Sequence, residues 1–145
     1  MPSLSEDDLI AAFEACTLAP SAFPHREHVR LAWAYLRREP LASAIAKFCG
    51  GLKAFAASID KATLYHETVS WAFMLIIQDR MARACGRAET WEDFAAANAD
   101  LLLNGRQLLE RYYHPVTLDS PLARASFIWP DRGESPAAPS DRYPV

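Results

Sequence analysis

Histidines stand just ahead of two of the most apolar stretches of this 145-residue chain. His25 and His28 lie three residues apart in FPHREHVRLAWAYL, and His66 comes near the start of YHETVSWAFMLII. Residues three apart share one face of a helix, so His25 and His28 can point the same way if a helix has begun by His25. His28 and His66 each continue onto an apolar face. Because an imidazole buried without a partner is costly, we expect something to satisfy these rings.

A divalent transition metal is the first candidate partner. Neutral imidazole nitrogens are good ligands for such ions, and His25, His28 and His66 would leave coordination positions open for water or substrate. Glu67 could ligate the ion or act beside it, and Asp131 could supply a further carboxylate. The HxxH spacing is by itself a weak motif, and the stronger HExxH pattern is absent. We favour a metal-binding protein, and within that class a metal-dependent enzyme acting on a small organic substrate.

Two alternatives need no metal. In the first, His66 or His28 is the base of a lyase or isomerase and Glu67 orients the ring, since imidazole titrates near neutral pH. In the second, the protein is a non-enzymatic helical module that binds a ligand or partner, and its histidines are structural. Four side chains close to the histidine phrases are the candidates for a substrate pocket: Tyr35, Tyr65, Thr68 and Trp71. The hydroxyls of Thr68 and Ser70 could instead bond back to their own helix.

The elements that position these residues are predicted to be helices. Apolar residues recur at helical spacing, strand patterns are almost absent, and we expect a single compact bundle of five or six helices. The fourth helix is apolar nearly all round, which is typical of the centre of a bundle. Gly86 is a typical residue for its end. The predicted helices are Glu6–Leu18, Arg26–Arg38, Leu41–Ser58, Thr63–Cys85 and two more within WEDFAAANADLL and RQLLERYY.

Composition limits the classes of function. With 51% hydrophobic and 23% charged residues, the chain has a globular composition, which predicts one helical domain over residues 1–130 and a proline-rich tail over 131–145. A net charge of -3 offers no general cationic field, so we expect no nucleic-acid partner. Helical proteins of this size commonly pair through an exposed apolar face, so the sequence leaves a homodimer open.

Two further patterns bear on location. The longest apolar run, Val69 to Ile77, is far short of the roughly 20 residues needed to cross a bilayer, so no membrane partner is expected. The opening MPSLSEDD is acidic where a signal peptide is basic, and three widely spaced cysteines suit neither a disulfide framework nor a metal knuckle. Both patterns favour a cytoplasmic protein with reduced cysteines.

Two phrases give the chain a resemblance to an uncharacterised family of small all-helical bacterial proteins. They are F-x-H-x-x-H, matched by Phe23, His25 and His28, and Y-H-E-T, matched by Tyr65 through Thr68. The phrases LLERYY and FIWPDR add to the resemblance, which covers the chain from about Ser21 to Arg132. It implies helical architecture, and it supplies no reaction, substrate or cofactor.

Overall fold

A computed structural model describes residues 3–84 and 90–132, and within these ranges the chain forms helices and no strands, which confirms the all-α prediction. The helices of seven or more residues are α1 (Glu6–Glu14), α2 (His25–Arg38), α3 (Leu41–Ser58), α4 (Glu67–Ala84) and α5 (Trp91–Ala97). The shorter ones are α6 (Ala99–Leu103), α7 (Gly105–Leu109), α8 (Pro115–Leu118) and α9 (Pro121–Ala125). Two 3-10 turns, Pro20–Ala22 and Ala62–Leu64, come before α2 and α4.

Short polar side chains start three of these helices. The side-chain oxygens of Ser5, Thr90 and Ser120 each accept a hydrogen bond of 3.1 Å from a backbone N–H in the first turn of α1, α5 and α9. These bonds satisfy donors that a helix start leaves without an intrahelical partner. Pro40 precedes α3, whose observed bounds are those predicted.

Several predicted boundaries differ from the structure. The predicted helix within WEDFAAANADLL is divided at Asn98 into α5 and α6, and the predicted helix within RQLLERYY ends at Leu109. The first helix ends at Glu14 rather than Leu18, because the chain turns at Cys16, whose φ of 57° lies in the left-handed region. The fourth helix begins at Glu67 rather than Thr63, and the residues before it form a separate turn. The predicted end of that helix, at Cys85 and Gly86, lies outside the described residues.

The core forms around α2, which packs against α1, α3, α4 and α6. Helix α2 has seven buried residues and α4 has five, so the predicted position of α4 as an apolar centre is not confirmed. Helix α1 approaches α3 closely at Gly51, where an added Cβ would lie 2.3 Å from the ring of Phe13. Only glycine permits that approach without displacing the ring. The buried residues of α2 are Val29, Leu31, Ala32, Trp33, Ala34, Tyr35 and Leu36.

The segment after α9 is bonded to α4. The Thr68 hydroxyl donates to the Ser126 carbonyl at 2.7 Å and accepts from the Ile128 N–H at 3.1 Å. The Tyr113 hydroxyl donates to the Ile128 carbonyl at 2.7 Å. Thr68 is fully buried, so these bonds satisfy a polar group inside the fold.

The predicted tail begins inside this bonded region. The Asp131 carboxylate accepts from the His114 N–H at 2.9 Å and from the Thr117 hydroxyl, so it ties the chain to the start of α8. These bonds lower the pKa of Asp131. Residues 133–145 of the predicted tail lie outside the described residues. No helix in the described part of the chain is both long and apolar enough to cross a membrane.

Candidate functional site

His66 caps α4. Its carbonyl accepts from the Ser70 N–H at 3.0 Å, and its Nδ1 lies 3.1 Å from the Val69 nitrogen, whose N–H it accepts. Since Nδ1 accepts, the ring proton is on Nε2, which donates to the Leu118 carbonyl of α8 at 2.7 Å. Both ring nitrogens of His66 are therefore bonded to the backbone, and the residue joins the start of α4 to the end of α8.

His25 has a similar bond at the start of α2. Its Nε2 lies 2.7 Å from the Leu101 carbonyl of α6, to which it donates. Its ring meets the Phe73 ring edge-on, with 5.4 Å between the centroids. Helix α7 approaches this pair at Gly105, where a Cβ would lie 2.9 Å from the Phe73 ring and 3.0 Å from Nε2 of His25. His25 itself is exposed, and its Nδ1 has no bonding partner within residues 3–84 and 90–132.

His28 is the histidine that faces the interior. Its ring lies against the buried Phe23 ring, with centroids 3.9 Å apart. Burial, and then the neighbouring His25, lower the pKa of His28 from 6.5 to about 4, against an opposing contribution from the Phe23 carbonyl. His28 is therefore neutral at pH 7, with one nitrogen protonated and the other bare.

Two adjacent cavities meet at His28. The inner cavity, of about 120 Å³, is also lined by His25, and the outer cavity, of about 340 Å³, is also lined by His66. Apolar side chains form most of both walls. Four residues line both cavities: His28, Leu52, Val69 and Ser70.

The three predicted metal ligands are thus near one another without lining a single cavity. His25 and His28 share the inner cavity, whereas His28 and His66 share the outer one. Within residues 3–84 and 90–132, no three side chains of His, Cys, Asp or Glu are grouped so as to hold a metal ion. Metal binding stays a prediction.

Glu67, the predicted partner of His66, has another partner in the structure. Its carboxylate accepts from the Tyr65 hydroxyl at 2.5 Å. Burial, and then this bond, raise the pKa of Tyr65 well above its ordinary value. The Cys49 thiol lies beside the same hydroxyl, and burial raises its pKa to about 11, so it is an inert thiol at neutral pH.

Of the four predicted pocket residues, one lines a cavity around His28 and three do not. Tyr65 lines the outer cavity, as predicted for a pocket residue. Tyr35 donates to the Glu14 carboxylate at 2.7 Å on the α1 side of α2, and Thr68 holds the segment after α9. The Trp71 ring packs against Phe127, with centroids 5.4 Å apart. These last three line neither the inner nor the outer cavity.

Ser70 has a larger part in the site than its sequence position indicated. It is 8% exposed and its hydroxyl donates to the His66 carbonyl at 2.8 Å, the bond within its own helix that is common for serine. Its oxygen still has lone pairs for a second bond. Leu52 is a wall residue that helical periodicity could have identified only as a core position.

Another surface concavity has a different set of lining residues. This aromatic groove, of about 250 Å³, shares no residue with the inner or outer cavity. Its walls include Leu75 and Ile76 of α4 together with Tyr112 and Trp129. It is useful as an internal comparison for ligand binding.

Comparison with known proteins found no match. The chain matches no protein-family model, and it matches neither a curated protein nor a solved structure. The resemblance carried by the histidine phrases stays a prediction.

Proposed function

We propose that the two cavities around His28 bind a small, neutral and largely apolar organic molecule. The observation that carries the proposal is the position of His28, a neutral imidazole at the junction of two cavities whose walls are mostly apolar. Ligand sites commonly combine apolar walls with a few polar groups that fix orientation. His28 and Ser70 supply such groups here.

The size of the cavities sets the size of the ligand. A dry cavity of roughly 150 Å³ lined by apolar side chains can bind benzene. The inner cavity, of about 120 Å³, is near that size, and the outer cavity adds about 340 Å³. A single ring with a short substituent therefore suits the pair.

The charges of the walls favour a neutral ligand. Lys61, an exposed residue, is the charged side chain that lines the outer cavity, and the inner cavity has only its histidines as ionisable groups. Because Lys61 is exposed to solvent, the apolar interior of the cavities offers no opposite charge to an ion, and moving an ion from water into such a space is costly. We expect a carboxylate or an ammonium ion to bind much more weakly than a neutral molecule of the same shape.

The pKa of His28 also favours binding over base catalysis at neutral pH. A general base works best when its pKa lies near the working pH. At a pKa of about 4, His28 is a weak base and a hydrogen-bond acceptor. The proposed site therefore corresponds to the ligand-binding alternative among the hypotheses drawn from the sequence.

Toluene, benzoate and benzylammonium are suitable probes because they share a ring and differ in charge. We expect toluene to bind at least ten times more tightly than either ion, as measured by protein NMR titration. The variant Leu52→Phe would fill space shared by both cavities and is expected to abolish binding. Leu75→Phe changes the aromatic groove instead and is the matched control, expected to bind toluene normally. Tighter binding of either ion, or toluene binding unaffected by Leu52→Phe, would contradict the proposal.

A metal held by His25 and His28 is the second candidate. The bond from Nε2 of His25 to the Leu101 carbonyl favours it, since metal-ligating histidines commonly donate their other N–H to a carbonyl. His28, neutral at pH 7, is in the protonation state that metal ligation needs. His66 would have to give up its capping bond or its bond to Leu118 before it could join as the third ligand.

Elemental analysis of the untagged protein tests this second candidate. Near-stoichiometric metal that is lost from folded His25→Ala and His28→Ala variants, and kept by His114→Ala, would support it. Absence of bound metal after each candidate ion is offered in turn would contradict it. If the protein binds metal and also has an enzymatic activity, activity that survives exhaustive chelation would favour the metal-free lyase or isomerase, in which His66 or His28 is the base and Glu67 orients the ring.

A further inference from the structure

The aromatic groove presents large apolar side chains to solvent. Trp129 is 80% exposed, and Tyr112 and Leu75 are 38% and 37% exposed. All three line the same groove, so their apolar surfaces are neighbours rather than scattered residues. Contiguous exposed apolar surface of this kind marks an interaction site.

The aromatic rings of the groove are held in place by the fold. Phe127 packs against Trp71, with 5.4 Å between the ring centroids, and Trp129 stands edge-on to Phe127 at 5.9 Å and 69°. The backbone between these two rings is anchored at Ile128, whose N–H donates to the buried Thr68 hydroxyl. Phe127 and Trp129 therefore form a corner with two aromatic walls, and a preformed site lowers the cost of ordering on binding.

The charged side chains of the groove are already paired. The Arg80 guanidinium donates to the Asp100 carboxylate through two N–H groups, at 2.6 and 2.8 Å. The Asp79 carboxylate accepts from Arg83 at 2.8 Å. Because each charge has a neighbour of opposite sign, the groove offers a partner mainly its rings and alkyl groups.

The chain reaches residue 133 at the rim of this groove. Pro130 lines the groove, and the Arg132 N–H donates to the carbonyl of Tyr112 at 2.9 Å. Residues 133–145, which we call the proline segment, therefore start beside a wall residue. Extended as a polyproline II helix, they would reach about 40 Å. A short tether of this kind gives a segment an effective concentration on the order of millimolar at a nearby site.

Two prolines in the segment have the spacing that suits an aromatic groove. Pro136 and Pro139 are three positions apart. A polyproline II helix has three residues per turn, so both rings would lie on one edge, about 9 Å apart. The wall that α4 contributes to the groove extends from Ala72 to Arg80, about 12 Å of helix. Grooves lined by aromatic residues are the surfaces that bind such proline pairs in other proteins.

We propose that the proline segment of the same chain occupies the aromatic groove, with Pro136 and Pro139 against Trp129 and Tyr112. Docking covers the exposed rings with a segment that already has a restricted backbone, which keeps the entropy cost low. The groove shares no residue with the inner or outer cavity, so this docking does not depend on the proposed ligand site.

NMR of the full chain tests the docking from the side of the segment. We expect Overhauser contacts between the Trp129 ring and both Pro136 and Pro139. The double variant Pro136→Ala/Pro139→Ala should shift the Trp129 indole N–H and the Leu75 amide. Pro144→Ala is the matched control, because Pro144 lies off the shared edge, and it should leave both resonances in place.

A second variant tests the docking from the side of the groove. In Trp129→Ala, the amides of Ala137 and Ala138 should move to the positions that they have in a synthetic peptide of residues 133–145. Leu103→Ala removes a side chain that is 78% exposed and lies outside the groove, so it should leave those amides unchanged. Both replaced side chains are exposed, so both variants should keep the fold.

Three results would overturn the proposal. One is the lack of Overhauser contacts between the proline segment and the groove in the native protein. Another is Ala137 and Ala138 amides that already match the free peptide in the native protein. The third is contacts that disappear on tenfold dilution as a dimer dissociates, which would assign the groove to the segment of a second copy. Contacts that persist unchanged in the monomer would support docking within one chain.

Discussion

Protonation of His28 should destabilise the fold in mildly acidic solution. The pKa of His28 is about 4 in the folded protein and 6.5 when the ring is free, so the unfolded chain binds more protons between these values. The contribution of His28 to stability is therefore complete above pH 6.5 and is lost as the pH falls towards 4. One pKa unit corresponds to about 1.4 kcal/mol, which gives a loss of about 2 kcal/mol by pH 5 and at most about 3 kcal/mol.

Chemical denaturation at pH 7.5 and pH 5.0 measures this loss. The native protein should lose about 2 kcal/mol more of its free energy of unfolding than His28→Phe loses over the same interval. His25, His66, Tyr65 and Lys61, the other ionisable residues around the two cavities, are present in both proteins, so the comparison isolates His28. Carboxylates with lowered pKa, such as Asp131, keep their contribution throughout this interval and lose it only at lower pH. Equal pH dependence in the two proteins would refute the reasoning.

Three substitutions test the bonds that position the site, each by its effect on the free energy of unfolding. Gly105→Ala should cost about 1–3 kcal/mol, since its Cβ would displace the Phe73 ring and crowd the His25 ring, and NMR should show both rings shifted. His66→Ala should cost about 2 kcal/mol through the lost cap and carbonyl bond, and His66→Asn, which can restore the cap, should recover part of it. Thr68→Val should cost about 1–3 kcal/mol because it leaves the Ser126 carbonyl without its buried donor, whereas Thr68→Ser should stay close to native. Costs below about 0.5 kcal/mol for Gly105→Ala, His66→Ala or Thr68→Val would contradict the bonding described.

The helical elements were predictable where local chemistry decides them. Pro40, followed by apolar residues at helical spacing, predicted the bounds of α3. The lack of alternating apolar and polar residues predicted that the chain has no strands, and the described ranges contain none. The start of α4 was harder to predict because its cap is His66, and histidine is not among the usual capping residues. Helical periodicity alone therefore placed His66 inside the helix.

The site itself depends on contacts between distant residues. His25 is bonded to Leu101, 76 positions later, and His66 to Leu118, 52 positions later. Spacing along one helix can show that a ring faces inward, but it cannot show which carbonyl receives its proton. The sequence predicted that His28 and His66 would find partners, and the Leu118 carbonyl that satisfies His66 became evident only in the structure.

The measurement that tests the central claim most directly is an amide NMR titration of the native protein with toluene. If the cavities around His28 are the binding site, saturable shifts should centre on Val29, Leu52 and Val69, which line the inner cavity. They should leave Leu75 and Ile76 of the aromatic groove unchanged. Shifts confined to the aromatic groove, or no saturable shift at all, would contradict the claim.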